Sequence, residues 1–272
     1  LGTNVTTTIS NSEVITAGRF SGGNFWFMAT DKAASNINFT SAIAGEMNVR
    51  YNYINYHTTW ETANNALSNP FTLDTVTGGS ALDYTFSDVG NYQVLVHGIG
   101  PSGNTIGSFD STEQAVARQF IQQENRVLVL VGENNNWANQ NNEIVTFLES
   151  IMSGSDFGHQ EGGNMNTFNF TYGGVSFTQN QILTSAPSTL NCDSNFNTYC
   201  YGSWAFFPAS MTDSDYVSDV FVWLDVNQPD QTTIDTTILQ YAQSLSVSST
   251  SSTYNLYEDQ VTLAGEIYTD AN

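Results

Sequence analysis

At 272 residues, with 40% hydrophobic and 13% aromatic content, the chain can hold one large domain with insertions or two small ones, and wholesale disorder is excluded. Against 5 Lys+Arg stand 26 Asp+Glu, a formal net charge of −21 that repels nucleic acid and anionic membrane surfaces and makes divalent cations the natural counter-charge. Charged residues nevertheless total only 11%, so the polar surface is built from Asn, Thr, Ser and Gln, which suits a secreted or surface-displayed protein.

In chain order, residues 1–19 alternate Val5, Thr7 and Ile9 with small polar residues, an edge-strand pattern. NFWFMATD reads as a buried strand ending at Asp31. Phe39, Ile43 and Met47 follow at four-residue spacing and predict a short helix, and Val49 to Tyr56 predicts a second strand. Residues 57–85 show no clear period and read as a long surface excursion.

Tyr92 to His97 is the next buried strand, closed by Gly98, and a helix is predicted from Thr112 to Glu124 with Ser111 as its cap. The turn HGIGPSG between them has phosphate-loop glycines but no following Lys, and reads as a flexible loop. Val127 to Val131 is an unbroken apolar run, the mark of a strand buried on both faces. Gly132 and Glu133 end it, and a helix is predicted over Glu143 to Ile151. Residues 153–215, rich in Gly, Asn and aromatics, read as an antiparallel insertion with strand-like fragments at 167–172, 175–178 and 203–207. Val220 to Val226 is a last buried strand and Thr233 to Leu245 a last helix, followed by a Ser/Thr linker and a tail of one or two strands.

Buried strands alternating with amphipathic helices predict an α/β fold, a mostly parallel sheet flanked by helices, with the antiparallel insertion and extra terminal strands. The expected organisation is a strand segment over 1–19, an α/β domain over 20–247, and a linker with a strand segment over 248–272.

Cys192 and Cys200 lie in a turn-rich stretch, LNCDSNFNTYC, and are expected to form a short-loop disulfide outside the cytosol. Sequons at Asn4, Asn38 and Asn169 permit glycosylation. No run of about 20 apolar residues predicts a membrane span, and no signal-peptide pattern is present, so an exported form would be mature.

The strand–turn–helix unit over Tyr92 to Ile151 resembles the class I glutamine amidotransferase-like, flavodoxin-like fold. The segments STEQAVARQFIQQENRVLVL and GENNNWANQNNEI look like domains of exported bacterial proteins, some with PEP-CTERM-type sorting tails. In amidotransferases this turn carries a nucleophilic Cys between glycines; here it reads Gly132-Glu133-Asn134, so the resemblance implies the scaffold without its nucleophile.

Four polar residues end predicted strands: Asp31, His97, Glu133 and Asp225. Asp31, Glu133 and Asp225, with carbonyls of Asn134 to Asn136, are candidate calcium ligands, and His97 beside Glu133 is a candidate acid–base pair. The same residues also suit plain helix capping. Trp204, Phe206, Phe207, Tyr199 and Tyr201 have faces that could stack on sugar rings or fill the core of the insertion. Three functions are thus carried forward. The first is an exported, non-catalytic structural or adhesive subunit that self-associates into a filament through its terminal strands. The second is a surface module for glycan or calcium. The third is a hydrolase using His97, Glu133 and Asp225.

Overall fold

The computed structural model describes residues 4–8, 14–19, 25–29, 35–39, 45–51, 57–77, 83–98, 109–133, 138–160, 166–180, 188–225, 231–246, 252–256, 260–263 and 266–269. The chain divides into two compact units, Leu1–Ala42 with Val247–Asn272, and Ile43–Ser246.

The outer unit is all β. Its strands are β1 (Asn4–Thr8), β2 (Val14–Arg19), β3 (Phe25–Ala29) and β4 (Ser35–Phe39). The body follows with β5 (Glu46–Tyr51), α1 (His57–Asn65), β6 (Thr72–Thr77), α2 (Phe86–Val89), β7 (Val94–Gly98), α3 (Ser111–Ile121), β8 (Val127–Val131) and α4 (Ala138–Ile151). It continues with β9 (Gly158–Gln160), β10 (Phe168–Tyr172), β11 (Val175–Gln179), β12 (Thr189–Asn191), β13 (Trp204–Phe207), β14 (Asp219–Trp223) and α5 (Gln231–Ser246). Beyond it, β15 (Ser252–Leu256), β16 (Gln260–Leu263) and β17 (Glu266–Thr269) return to the outer unit.

The body is organised on a six-stranded sheet in the order β13-β14-β8-β7-β5-β6. Every neighbouring pair from β14 to β6 is parallel, and only β13 runs antiparallel, against β14. The α/β expectation therefore holds, with a mixed rather than purely parallel sheet. Each central strand is buried throughout because alternate residues enter different cores. Val127, Val129 and Val131 pack with Trp60 and Ala63 of α1 and Ile238, Leu239 and Ala242 of α5. Leu128 and Leu130 pack with Val116 and Phe120 of α3 and Ile144, Phe147 and Leu148 of α4. Helices thus cover both faces, which continuous apolar strands require.

Several elements differ from the sequence reading. Of the helix expected around Phe39, Ile43 and Met47, Phe39 ends β4 and Met47 lies in β5, while Ile43 lies outside the described residues. Four-residue spacing is ambiguous, since residues four apart also share a face of a strand, and Met47 and Val49 are both buried there. β5 covers Val49 to Tyr51 of the strand expected to run to Tyr56, and residues 52–56 lie outside the described residues. The stretch 57–85 is no surface excursion, because it contains α1, the edge strand β6 and the start of the segment leading to α2. Its apolar face is Trp60, Ala63 and Leu67, spaced three and four apart but separated by Thr and Asn that mask the period. The helix before β8 is Ser111–Ile121 and begins one residue early, since Asp110 rather than Ser111 is its cap. α4 starts at Ala138, before the expected Glu143.

The insertion does contain antiparallel pairs, β10–β11 and β9–β12, but β13 leaves it to become an edge of the main sheet. Gly173 and Gly174 form the two-residue turn of the β10–β11 hairpin, with φ of 55° and 78°. Two positive φ values are what this tight turn demands. A Cβ on Gly173 would come within 2.5 Å of the Tyr241 ring on α5, so the same glycine lets the hairpin lie close on that helix. The expected disulfide is present: Cys192 and Cys200 are bonded, with Cα atoms 6.4 Å apart. Among the described residues no helix is long and apolar enough to cross a membrane.

In the outer unit β1, β2 and β3 form an antiparallel three-stranded sheet, while β4 pairs antiparallel with β15 and β16 with β17. The strand that precedes Asp31 thus belongs to this unit and not to the parallel sheet; Asp31 itself lies outside the described residues.

Candidate functional site

Parallel strands place their following loops along one edge, and the strand order reverses between β5 and β7. This carboxyl edge carries His97 near the end of β7, Glu133 two residues beyond β8, and Asp225 two beyond β14, all buried. Asn134 to Asn136 lie outside the described residues.

His97 points into the core beneath α3. Its ring is 4.9 Å from the Phe109 ring and 5.7 Å from that of Tyr84, edge-on to the latter, and neither ring nitrogen has a hydrogen-bond partner among the described residues. Its residue is 1% exposed. Burial, reinforced by the Arg50 charge and opposed by Asp110, pushes its pKa down to about 3. The imidazole is neutral at pH 7 and a weak base. The charges that act on it are those of Arg50 and Asp110. Arg50, on β5, donates to Asn48 Oδ1 at 3.0 Å and to the Asp83 carbonyl at 3.3 Å, and its guanidinium lies 5.0 Å from the centre of the Tyr84 ring.

The turn after β8 is held by Asn141, on α4, which is completely buried. Its amide donates to the Glu133 carbonyl at 2.6 Å and to Ser188 Oγ at 3.1 Å, and its Oδ1 accepts from the Glu133 N–H at 3.2 Å. Gly132 permits this approach, since a Cβ there would sit 2.2 Å from Asn141 Oδ1. The turn is clasped through its main chain.

Polar groups of the next turn are engaged in the same manner. Glu143 Oε2 accepts from the Phe109 N–H at 2.8 Å, and Gln114 donates to the carbonyls of Phe109 and Glu143. Asp110 caps α3 by accepting from the Thr112 N–H at 2.7 Å, and its carboxylate is hydrogen-bonded to the Glu113 side chain. Burial first, then that bond to Asp110, raises the Glu113 pKa to about 7, so the two carboxyls share a proton below neutrality. The Asp-x-x-Glu spacing of Asp110 and Glu113 was the sequence signal for this cap. Asn141 had no comparable signal, because its partner is a main-chain turn eight residues away.

Among the described residues, no group of three or more His, Cys, Asp or Glu side chains could hold a metal ion. The aromatic residues of the insertion chiefly pack on each other. Trp204 stacks on Phe168 at 4.5 Å, Phe206 on Phe221 at 4.4 Å and Phe170 on Phe177 at 5.1 Å. Trp204 and Phe206 are fully buried, so their faces are closed to a sugar, while Tyr199 and Tyr201 are half-buried at the margin. Asn169, on β10, is exposed.

Fold and edge together define the class: an α/β body with a mostly parallel, mixed sheet, whose polar groups beside the carboxyl edge bind main-chain turns. No protein-family model matches the chain, and neither a curated protein nor a solved structure does.

Proposed function

We propose that the protein is an exported, non-catalytic structural subunit that associates with its own copies through the outer β unit. The observation that carries this reading is the separate grouping of the outer strands into sheets of three, two and two strands. Small sheets are marginal by themselves and offer unpaired main-chain donors and acceptors along their edges. The outer edges of β1, β3, β4 and β15 have no strand partner among the described residues. The disulfide supports an oxidising compartment.

The body serves as scaffold in this reading. Its parallel strands, taken in sequence order, lie 2-1-3-4-5 across the sheet, an order that supports the flavodoxin-like assignment. Of the carboxyl-edge residues, His97 is enclosed by aromatic rings and too weakly basic for acid–base work at neutral pH, and the turn that carries Glu133 is clasped through its main chain.

Light scattering and negative-stain microscopy on the full chain, over a wide concentration range, test the proposal. Oligomers that lengthen with concentration are expected. A monomer at every concentration, with turnover on an ester or glycoside panel that Glu133→Gln abolishes, would replace this reading with the hydrolase.

A further inference from the structure

Arg50 and His97, each the penultimate residue of its strand, are direct register partners across the point where the strand order reverses. Alternation puts their side chains on one face. Met47, Val49, Val94 and Val96 enter the core beneath α1 and α5, whereas Leu95 enters the core beneath α3 and α4. Arg50 and His97 belong to the second set, and Tyr84 and Phe109 of that core meet them there: the guanidinium lies over the Tyr84 ring, and the imidazole packs on Tyr84 and Phe109.

All of these side chains are buried, yet the Tyr84 hydroxyl, like both nitrogens of His97, has no hydrogen-bond partner among the described residues. A buried polar group without a partner is destabilising, and a chain that keeps several beside a cation has a use for them. Asn48 Oδ1 and the Asp83 carbonyl, both neutral oxygens, hold the Arg50 fork in place through its Nε and one terminal nitrogen. Arg50 is one of only 5 Lys and Arg residues in the chain. Phe109 and Tyr84 wall the group with aromatic carbon, and polar contacts made in such surroundings are strengthened.

We infer that Arg50, Tyr84 and His97 form a binding site for a small monocarboxylate that carries a hydroxyl beside its carboxyl group. The planar guanidinium matches a carboxylate, and the Tyr84 hydroxyl adds a further donor. A neutral imidazole donates from one nitrogen and accepts at the other, so one nitrogen serves the carboxylate and the other takes the ligand's hydroxyl. A single negative charge suits the setting, because the net charge of −21 opposes polyanions. Of the two carboxyls that act on Tyr84 from α3, Glu113 and Asp110, one is protonated below neutrality, so Arg50 faces one negative charge from that pair. Arg50 and His97 stand one residue from the ends of their strands, at the edge where ligands of open parallel sheets enter. The site binds without changing any bond of its ligand, which is compatible with a non-catalytic body and independent of how copies associate.

The test uses the full chain at about pH 6, where one carboxyl of the Asp110–Glu113 pair holds a proton. Sodium glycolate is exchanged stepwise for sodium chloride at constant ionic strength, so that screening of the body's charge does not enter the result. Saturating glycolate should raise the melting temperature by about 3 °C or more over chloride. Tyr84→Phe removes only the unpartnered hydroxyl, so without glycolate this variant should melt no lower than the unsubstituted chain. Its affinity for glycolate, and that of His97→Leu, should fall about tenfold or more. If His97→Leu does not fold, Tyr84→Phe decides alone. No rise with glycolate over chloride overturns the site, as does a rise that both variants retain. A larger rise with inorganic phosphate than with glycolate overturns the ligand class.

Discussion

Asn141→Ala is the sharpest perturbation of the body. The side chain makes three hydrogen bonds in full burial, two of them to the N–H and C=O of Glu133. Alanine leaves both main-chain groups without these partners, and a buried polar group left unpaired costs about 1–3 kcal/mol. The expected loss is thus about 2–5 kcal/mol, against a total of about 5–15 kcal/mol for a typical domain. Urea unfolding followed by tryptophan fluorescence should show the midpoint falling by about 1 M or more with the slope unchanged. Gly132→Ala tests the same clasp from the other side, because its Cβ would stand 2.2 Å from Asn141 Oδ1 and must push the amide away. In the double variant that obstacle is gone, and the nearest remaining atom is Leu224 Cδ2 at 3.2 Å. The double variant should therefore be within about 1 kcal/mol of Asn141→Ala alone, a coupling of about 2 kcal/mol. Simply additive losses would refute the claim that the two residues act as one device.

Three further outcomes follow from the structure. Glu113 has its folded pKa raised to about 7 by burial and by Asp110, with Asp83 contributing, so its stabilising contribution is full below its unfolded value and lost as pH rises through 7; Glu113→Gln should flatten the stability profile between about pH 4.5 and 7, as read by melting temperature. Asp235, on α5, is fully buried, with Thr59 beside it, and burial holds its carboxyl well above the usual range. The sign is the same, so the stability of Asp235→Asn relative to the unsubstituted chain should improve from pH 4 to pH 7, measured by urea unfolding at both. Removing the disulfide by Cys192→Ser with Cys200→Ser opens a loop of eight-residue separation and should cost about 2–3 kcal/mol in the same assay, with no loss of the six-stranded sheet's far-UV signal.

The legible parts of the fold were those where a single physical signal dominated. Val127 to Val131 admits no amphipathic reading and had to be a strand covered on both faces, and it lies at the centre of the sheet between β7 and β14. The two cysteines, close in sequence and surrounded by turn formers, could reach each other without help from the rest of the fold. What stayed hidden depended on tertiary contact. α1 packs Trp60 and Ala63 beneath the sheet, but its Thr- and Asn-rich sequence has little intrinsic helical preference. The affiliation of β13 was equally invisible, because WAFF is buried on both sides by aromatic residues from β10, β11 and β14 on one side and by Phe157 and the α4 layer on the other. At the carboxyl edge, position along the chain identified His97, Glu133 and Asp225, whereas side-chain direction decided their surroundings. His97 turns toward Tyr84 and Phe109, a choice set by strand alternation about residues whose neighbours lie on other elements.

The distribution of charge links the body to the outer strands. A parallel sheet with covered faces presents few ways to meet another copy: its β13 edge is fully buried and its β6 edge carries Asp74. With a net charge of −21, repulsion between bodies opposes any contact that brings them close, and it weakens once the separation exceeds the screening length of about 8 Å at physiological salt. Pairing through strand edges, by contrast, is made mainly by main-chain hydrogen bonds, whose strength changes little with salt. Assembly through strand edges should accordingly be promoted by sodium chloride, which screens the acidic bodies and leaves the main-chain bonds intact, and the dependence should flatten once the repulsion is screened. An interface made from complementary charged patches would dissociate under the same titration, so light scattering against salt concentration separates the two kinds of contact.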